Sequence, residues 1–178
     1  LVTWQRTYSA APFDEDVMAV LVTWNGVLAT SVFTLAGTLD NERRPSPSSP
    51  AQLVSAPGRL FYAMACEVQL GGQNDIVVRI VDDLGVVRTS FPLSASEALG
   101  IYTSRNQILP ECETDGARFV VAYSESNGSD YDTLASTLAF VPGTATVRID
   151  ETRAVIAATP GVDDYWTRIS AWFSGNNL

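Results

Sequence analysis

The apolar residues of this chain form short continuous runs that are separated by polar loops containing glycine. The clearest example is residues 118–140, where an apolar run at 119–123 leads through a polar loop into a second run at 133–140. Runs of this length, bounded by turn residues, are typical of β-strands. No window shows an apolar stripe at helical spacing, so the pattern predicts an all-β chain.

This pattern of runs and loops occurs more than once, with a spacing of 59 residues. The matching markers are the run starts Leu1, Leu60 and Phe119, the aspartates Asp16 and Asp75, and the turn glycines Gly26 and Gly85. In the third copy Asp132 comes slightly early, because the preceding loop is shorter. The spacing predicts tandem repeats at residues 1–59, 60–118 and 119–167, and the start of a fourth at 168–178.

Each predicted repeat holds about four short strands, which is the signature of β-propeller blades. The fourth strand is placed near 47–54 in the first copy and near 107–112 in the second. In the third copy the last two strands are placed at 146–149 and 153–158. Neighbouring blades pack face to face, so their inner strands are expected to be apolar on both faces. The alternative is a β-sandwich built from the same strands.

The repeated text can be written F-[LV]-V-x-[WY], a polar loop, D-[IV]-x-x, and a glycine turn before an F-x-L strand. This pattern resembles tandem repeats in large secreted bacterial β-propeller proteins. The resemblance implies a secreted or cell-surface module that serves in adhesion, scaffolding or ligand binding. It also implies further blades, from the same precursor or from another chain, because three repeats and a fragment do not complete a ring. The start without Met agrees with a segment of a longer protein.

The charge of the chain argues against several partners and reactions. The net charge is −9, and all 11 basic residues are Arg, since Lys and His are absent. An acidic protein is repelled by nucleic acid and by anionic membranes, and no apolar run is long enough to span a membrane. Without His the commonest general base is missing, so a non-catalytic protein is predicted.

A second alternative is that the chain is part of a secreted carboxylate-based glycosidase, since glycoside hydrolysis needs only two carboxylates. The acidic residues that lie close together in sequence are Asp82 and Asp83, and Glu111, Glu113 and Asp115. Solvated turns are the ordinary explanation for such groups.

The two cysteines, Cys66 and Cys112, do not have the spacing of a metal site. They are expected to form either a disulfide or two buried thiols. The secreted-type composition favours the disulfide.

The loop at 126–132 offers oxygen ligands of the kind that Ca²⁺ prefers, from Asn127, Asp130 and Asp132. The same side chains can instead cap backbone N–H groups in the turn. An aspartate recurs at this place in the other copies, which favours the structural role. Ca²⁺ is therefore the one ion that the sequence suggests, and no organic cofactor is predicted.

Two sets of aromatic residues are candidates for glycan binding. Trp4, Met64, Tyr123 and Trp172 share one position of the repeat, where they would either stack on sugar rings or fill the core between sheets. The core role is favoured. The ligand contact is instead placed in one loop, at Asp163, Asp164, Tyr165 and Trp166. The sequence thus predicts a binding or scaffold module, with a lectin-like propeller as the alternative.

Overall fold

The computed structural model describes residues 1–9, 14–52, 58–88, 105–140, 147–165 and 168–170. All regular structure within these ranges is β-strand, which confirms the prediction of an all-β chain. None of the described segments forms a helix that could cross a membrane.

The strands found in the described ranges form three antiparallel sheets. They are β1 (Val2–Thr7), β2 (Glu15–Val20), β3 (Phe33–Ala36), β4 (Glu42–Pro47), β5 (Ala51–Gln52), β6 (Leu60–Leu70), β7 (Gln73–Asp82), β8 (Gln107–Thr114), β9 (Arg118–Ser126), β10 (Tyr131–Phe140) and β11 (Val147–Ala157). The first sheet has the order β1-β2-β3, and the third has the order β8-β9-β10-β11. In the second sheet β6 pairs with β7 on one side and with β4 and β5 on the other.

The second sheet lies between the other two and buries both of its faces. Successive residues of β6 alternate between two apolar clusters, with Ala63 and Ala65 in one and Met64 and Cys66 in the other. The cluster on the side of the first sheet also contains Val17, Ala19, Leu35, Ala36, Val77 and Val81. The cluster on the side of the third sheet also contains Ile76, Val78, Ile80, Phe119, Val121, Tyr123, Leu134 and Leu138. Burying each large side chain contributes about 1.5–3 kcal/mol, so both interfaces stabilise the stack.

Two hairpin turns, one after β2 and one after β7, make the same hydrogen bonds 59 residues apart. In the first, the N–H of Gly26 donates to the carbonyl oxygen of Thr23 at 2.9 Å. In the second, the N–H of Gly85 donates to the carbonyl oxygen of Asp82 at 3.0 Å. The two glycines have φ of 84° and 78°, as expected for turn positions that require the left-handed region. A pair of isolated bridges follows the same spacing, Val22 with Leu28 and Val81 with Val87.

The strand pairing differs from the sequence-based grouping at the sheet edges. The stretches expected to end the first and second repeats contain β5 and β8. These strands pair with β6 and β9, the strands that follow them, so the sheets begin earlier than the chosen repeat boundaries. A local pattern shows where a strand lies but carries no information about which neighbour completes its hydrogen bonds.

The end of the third copy also differs from expectation, because the two strands predicted at 146–149 and 153–158 form the single strand β11. Register shifts in its pairing with β10, around Thr137, carry the strand through the polar residues between the two apolar runs. The fourth-copy start at 168–178 falls mostly outside the described residues.

The structure does not contain the expected disulfide, and both thiols are free and buried. Cys66 packs in the cluster on the side of the first sheet, whereas Cys112 packs in the cluster on the side of the third. The two thiols therefore lie on opposite sides of the second sheet. Burial raises the pKa of Cys66 to about 12 and also raises that of Cys112, so both behave as inert apolar groups.

Candidate ligand site

The structure brings together the two loops in which the sequence predicted a calcium site and a ligand site. The N–H of Asp164 donates to the carbonyl oxygen of Tyr131 at 2.8 Å, and the N–H of Tyr131 donates to Oδ1 of Asp163 at 3.1 Å. The rings of Tyr131 and Tyr165 are 5.0 Å apart between centroids, with a tilt of 46°. Trp166, the fourth residue predicted here, lies outside the described residues.

Asp164 holds the second loop in place from within the protein. Its carbonyl oxygen accepts hydrogen bonds from the hydroxyls of Thr133, at 2.9 Å, and Ser124, at 3.4 Å. Its carboxylate accepts from the N–H of Thr159 at 2.8 Å. Of the predicted ligand residues, Asp164 therefore has a positioning role.

The residues of the predicted calcium loop also bond to backbone N–H groups. Oδ1 of Asn127 accepts from the N–H of Ser129 at 3.0 Å and of Asp130 at 3.2 Å. The Asp130 carboxylate accepts from the N–H of Gly161, and Asp132 accepts from the side chain of Asn127 at 3.2 Å. These contacts are those of the capping alternative, and they join the loop to the chain after β11.

Tyr165, Asp163 and Tyr131 present the polar and aromatic groups that a ligand could reach. Tyr165 and Asp163 are exposed, and the hydroxyl of Tyr131 accepts a hydrogen bond from Nδ2 of Asn106 at 2.9 Å. Desolvation and the neighbouring Asp163 carboxylate raise the pKa of Tyr165, so its hydroxyl stays protonated and can donate. Aromatic faces beside a carboxylate suit a sugar ring, which stacks through C–H groups and donates through hydroxyls.

The aromatic position shared by the repeats is largely core. Met64 and Tyr123 are fully buried, as the favoured core role requires. Trp4 on β1 is 37% exposed, because no described strand lies beyond β1 in the first sheet. Trp172 lies outside the described residues.

The carboxylates named for the glycosidase alternative are engaged in contacts within the fold. Asp82 and Asp83 both bind Arg59, at 3.0 and 2.7 Å. Glu111 pairs with Arg168 at 2.6 Å, and Glu113 accepts from the N–H of Ser49 at 3.0 Å. Asp115 accepts from the backbone N–H groups of Ala117 at 2.9 Å and Arg118 at 2.7 Å, and from the Arg118 side chain.

A surface cavity of about 480 Å³ lies beside the irregular segments of β4 and β8. Arg44 and Leu109 line it, and both are non-glycine residues with positive φ, 52° and 57°. Oε1 of the buried Glu67 accepts hydrogen bonds from both residues, each at 2.8 Å. This junction had no signal in the sequence, because its three members come from three separate strands.

Sequence reasoning also missed an acidic cluster formed by Asp14, Asp16 and Glu42. One oxygen from each carboxylate lies within 4.8 Å of the others. Asp16 is the repeat marker at the place of the predicted calcium loop in the first copy, and Asp14 lies two residues before it. Glu42 had no signal in the sequence, since it belongs to β4 of the second sheet and its approach depends on packing between sheets.

No protein-family model, curated protein or solved structure matches the chain. The class that the observations define is therefore that of the fold, an all-β protein of stacked antiparallel sheets.

Proposed function

We propose that this chain is a non-catalytic binding or scaffold module, secreted or at the cell surface, whose sheets are β-propeller blades that assemble with further blades. The observation that carries the proposal is the second sheet, which is covered on each face by another antiparallel sheet. Blades in a propeller pack in this way, whereas a two-layer sandwich has no internal sheet.

The equivalent turns at Gly26 and Gly85 support the same proposal. Their hydrogen bonds match one by one at a spacing of 59 residues, as expected when one structural unit is repeated along a chain. In the first and third sheets the strand order is also that of a meander, in which consecutive strands are neighbours in the sheet.

One edge of β1 pairs with no other described strand and provides a place for a further strand. The strands equivalent to β1 are β6 in the second sheet and β9 in the third. They are flanked by β4 and by β8, respectively. Among the described residues β1 pairs only with β2, and its side chains Val2 and Trp4 are partly exposed. An edge with unpaired N–H and C=O groups favours addition of a strand.

The test compares Trp4→Glu with Trp24→Glu, two tryptophan substitutions at positions that are 37% and 98% exposed. The protein is purified from its natural source as an assembly, and its mass is measured by light scattering. We expect recombinant Trp4→Glu to fail to join the ring, because a charge is introduced beside the pairing edge, and Trp24→Glu to assemble normally. A monomeric natural protein whose β1 edge is free in a cryo-EM map would refute the proposal.

Carbohydrate binding is the second candidate function, and the tilted Tyr131–Tyr165 pair beside Asp163 favours it. A glycan array should identify a binder whose affinity is lost in Tyr165→Ala. Tyr8→Ala, which changes a tyrosine in the segment after β1, should bind normally. Absence of binding across a broad array, or equal affinity in both variants, would exclude the site.

A further inference from the structure

The acidic cluster of Asp14, Asp16 and Glu42 has the spacing of ligands that share one ion. Asp14 precedes β2, Asp16 lies within β2, and Glu42 begins β4. Two oxygens that are each about 2.4 Å from a Ca²⁺ ion can be at most about 4.8 Å apart. The oxygens of the cluster lie within 4.8 Å of one another, which is the range of separations found between ligands of one ion.

Glu42 supplies a second observation, because one oxygen of its carboxylate has no partner among the described residues. The side chain is 1% exposed, and Oε1 accepts from the N–H of Thr38 at 3.1 Å and from its hydroxyl at 2.7 Å. Oε2 is buried, and no described group forms a hydrogen bond with it. A buried carboxylate oxygen that has lost its water is costly, so this atom needs a proton or a cation.

No arginine side chain in the described part of the chain forms an ion pair with the cluster. Arg43 pairs with Glu15 instead, and the guanidinium of Arg6 lies over the ring of Tyr8, 4.7 Å from its centroid. Within the described residues, no arginine therefore balances the negative charge at this place.

We propose that Asp14, Asp16 and Glu42 bind a divalent cation and that the cation is Ca²⁺. All three ligands are carboxylate oxygens, and Ca²⁺ accepts irregular oxygen coordination that water can complete. Asp14 is only half-buried, which gives water and the ion a route to the site. Because Glu42 belongs to the second sheet and the aspartates lie at β2, the ion ties the first sheet to the second. This site is independent of the proposed function.

The test measures the melting temperature of the EDTA-treated full chain, with and without added CaCl₂. An ion that binds only the folded state stabilises that state by mass action, so Ca²⁺ should raise the melting temperature by several degrees. Equilibrium dialysis against ⁴⁵Ca²⁺ gives the affinity and the stoichiometry. Glu42→Gln and Asp14→Asn should abolish both the thermal shift and the binding.

Asp132→Asn is the matched control, since it changes the other loop in which Ca²⁺ was predicted. We expect this variant to bind Ca²⁺ as the wild type does. If Glu42→Gln does not fold, the half-buried Asp14 still carries the test. The proposal is overturned if the wild type binds no Ca²⁺, or if binding survives in Asp14→Asn and is lost in Asp132→Asn. Stabilisation by acid but not by Ca²⁺ would likewise overturn it, because Glu42 would then hold a proton.

Discussion

The turns after β2 and β7 have the same backbone and different side-chain anchors. In both, the side chain of the first turn residue accepts a hydrogen bond from the N–H four residues later. Thr23 accepts from Val27 at 3.1 Å, and Asp82 accepts from Val86 at 2.9 Å. Thr23 is exposed, whereas Asp82 is fully buried and also binds Arg59 and Arg88. The position equivalent to Arg88 is Ala29.

This difference shows that the turn geometry is set by the glycine and the backbone, while its anchoring depends on the surroundings. The turn of the middle sheet is tied through the buried carboxylate of Asp82 to Arg59, which directly precedes β6. The turn of the first sheet rests on a neutral hydroxyl in solvent. The following substitutions separate the two contributions.

The largest expected effect is that of Asp82→Ala. It removes the acceptor of the Leu84 and Val86 N–H groups and of the Arg88 guanidinium, and it leaves Arg59 with Asp83 alone, so the free energy of unfolding should fall by about 3 kcal/mol. Asp83→Ala, which removes one partly exposed ion pair with Arg59, should cost about 1 kcal/mol or less. Urea unfolding measures both. Equal losses would show that burial of Asp82 does not matter.

Acidification is a milder way to remove the same charge. Burial alone would raise the pKa of Asp82, but hydrogen bonds from Val86, Arg88 and Leu84 outweigh it and lower the pKa. The stabilisation is therefore complete above the ordinary Asp pKa of about 4 and is lost as the pH falls through the lower folded value. The stability difference between wild type and Asp82→Ala should stay constant from pH 8 to about pH 5 and shrink below about pH 4. A difference that grows in acid would contradict this assignment.

Replacing Gly26 or Gly85 by alanine should lower the free energy of unfolding by an intermediate amount. Gly26→Ala introduces only the strain of a left-handed alanine, about 1 kcal/mol, since nothing lies within 4 Å of the new Cβ. Gly85→Ala also places the Cβ 2.9 Å from Cγ2 of Thr30, so it should cost about 2 kcal/mol. Thermal unfolding of both variants checks the order. The double variant Gly85→Ala with Thr30→Ser should recover most of the difference.

The smallest expected effect is that of Thr23→Val. It removes a solvent-exposed hydroxyl that bonds to the N–H and the carbonyl of Val27, so the loss should be about 0.5 kcal/mol. Thr23→Asp should be nearly neutral, because no arginine in the described part of the chain forms an ion pair or hydrogen bond with this turn. A loss as large as that of Asp82→Ala would remove the contrast between the turns.

The sequence predicted the local structure well because strand periodicity and turn chemistry are local properties. The apolar run at 76–81 is part of β7, and its alternate side chains enter two cores, so the continuous apolar pattern had a physical cause. The turn at Gly85 was predictable because positive φ favours glycine.

What the sequence could not predict depends on contacts between distant segments. The pairing of β8 with β9, the separation of Cys66 from Cys112 and the approach of Glu42 to Asp16 are all set by how sheets stack. In the candidate ligand site, Asp163 and Tyr165 were predicted, but their contact with Tyr131 was not. No local pattern placed the two loops side by side.

The Glu67 junction has a consequence for cooperativity. A single buried oxygen holds the left-handed residues Arg44 and Leu109, which belong to strands of two different sheets. Opening either strand leaves the buried Glu67 oxygen with one donor in place of two, so each contact stabilises the other through the shared carboxylate. We therefore expect the second and third sheets to exchange their slowest amide hydrogens in one concerted event, with Glu67→Gln separating them into two.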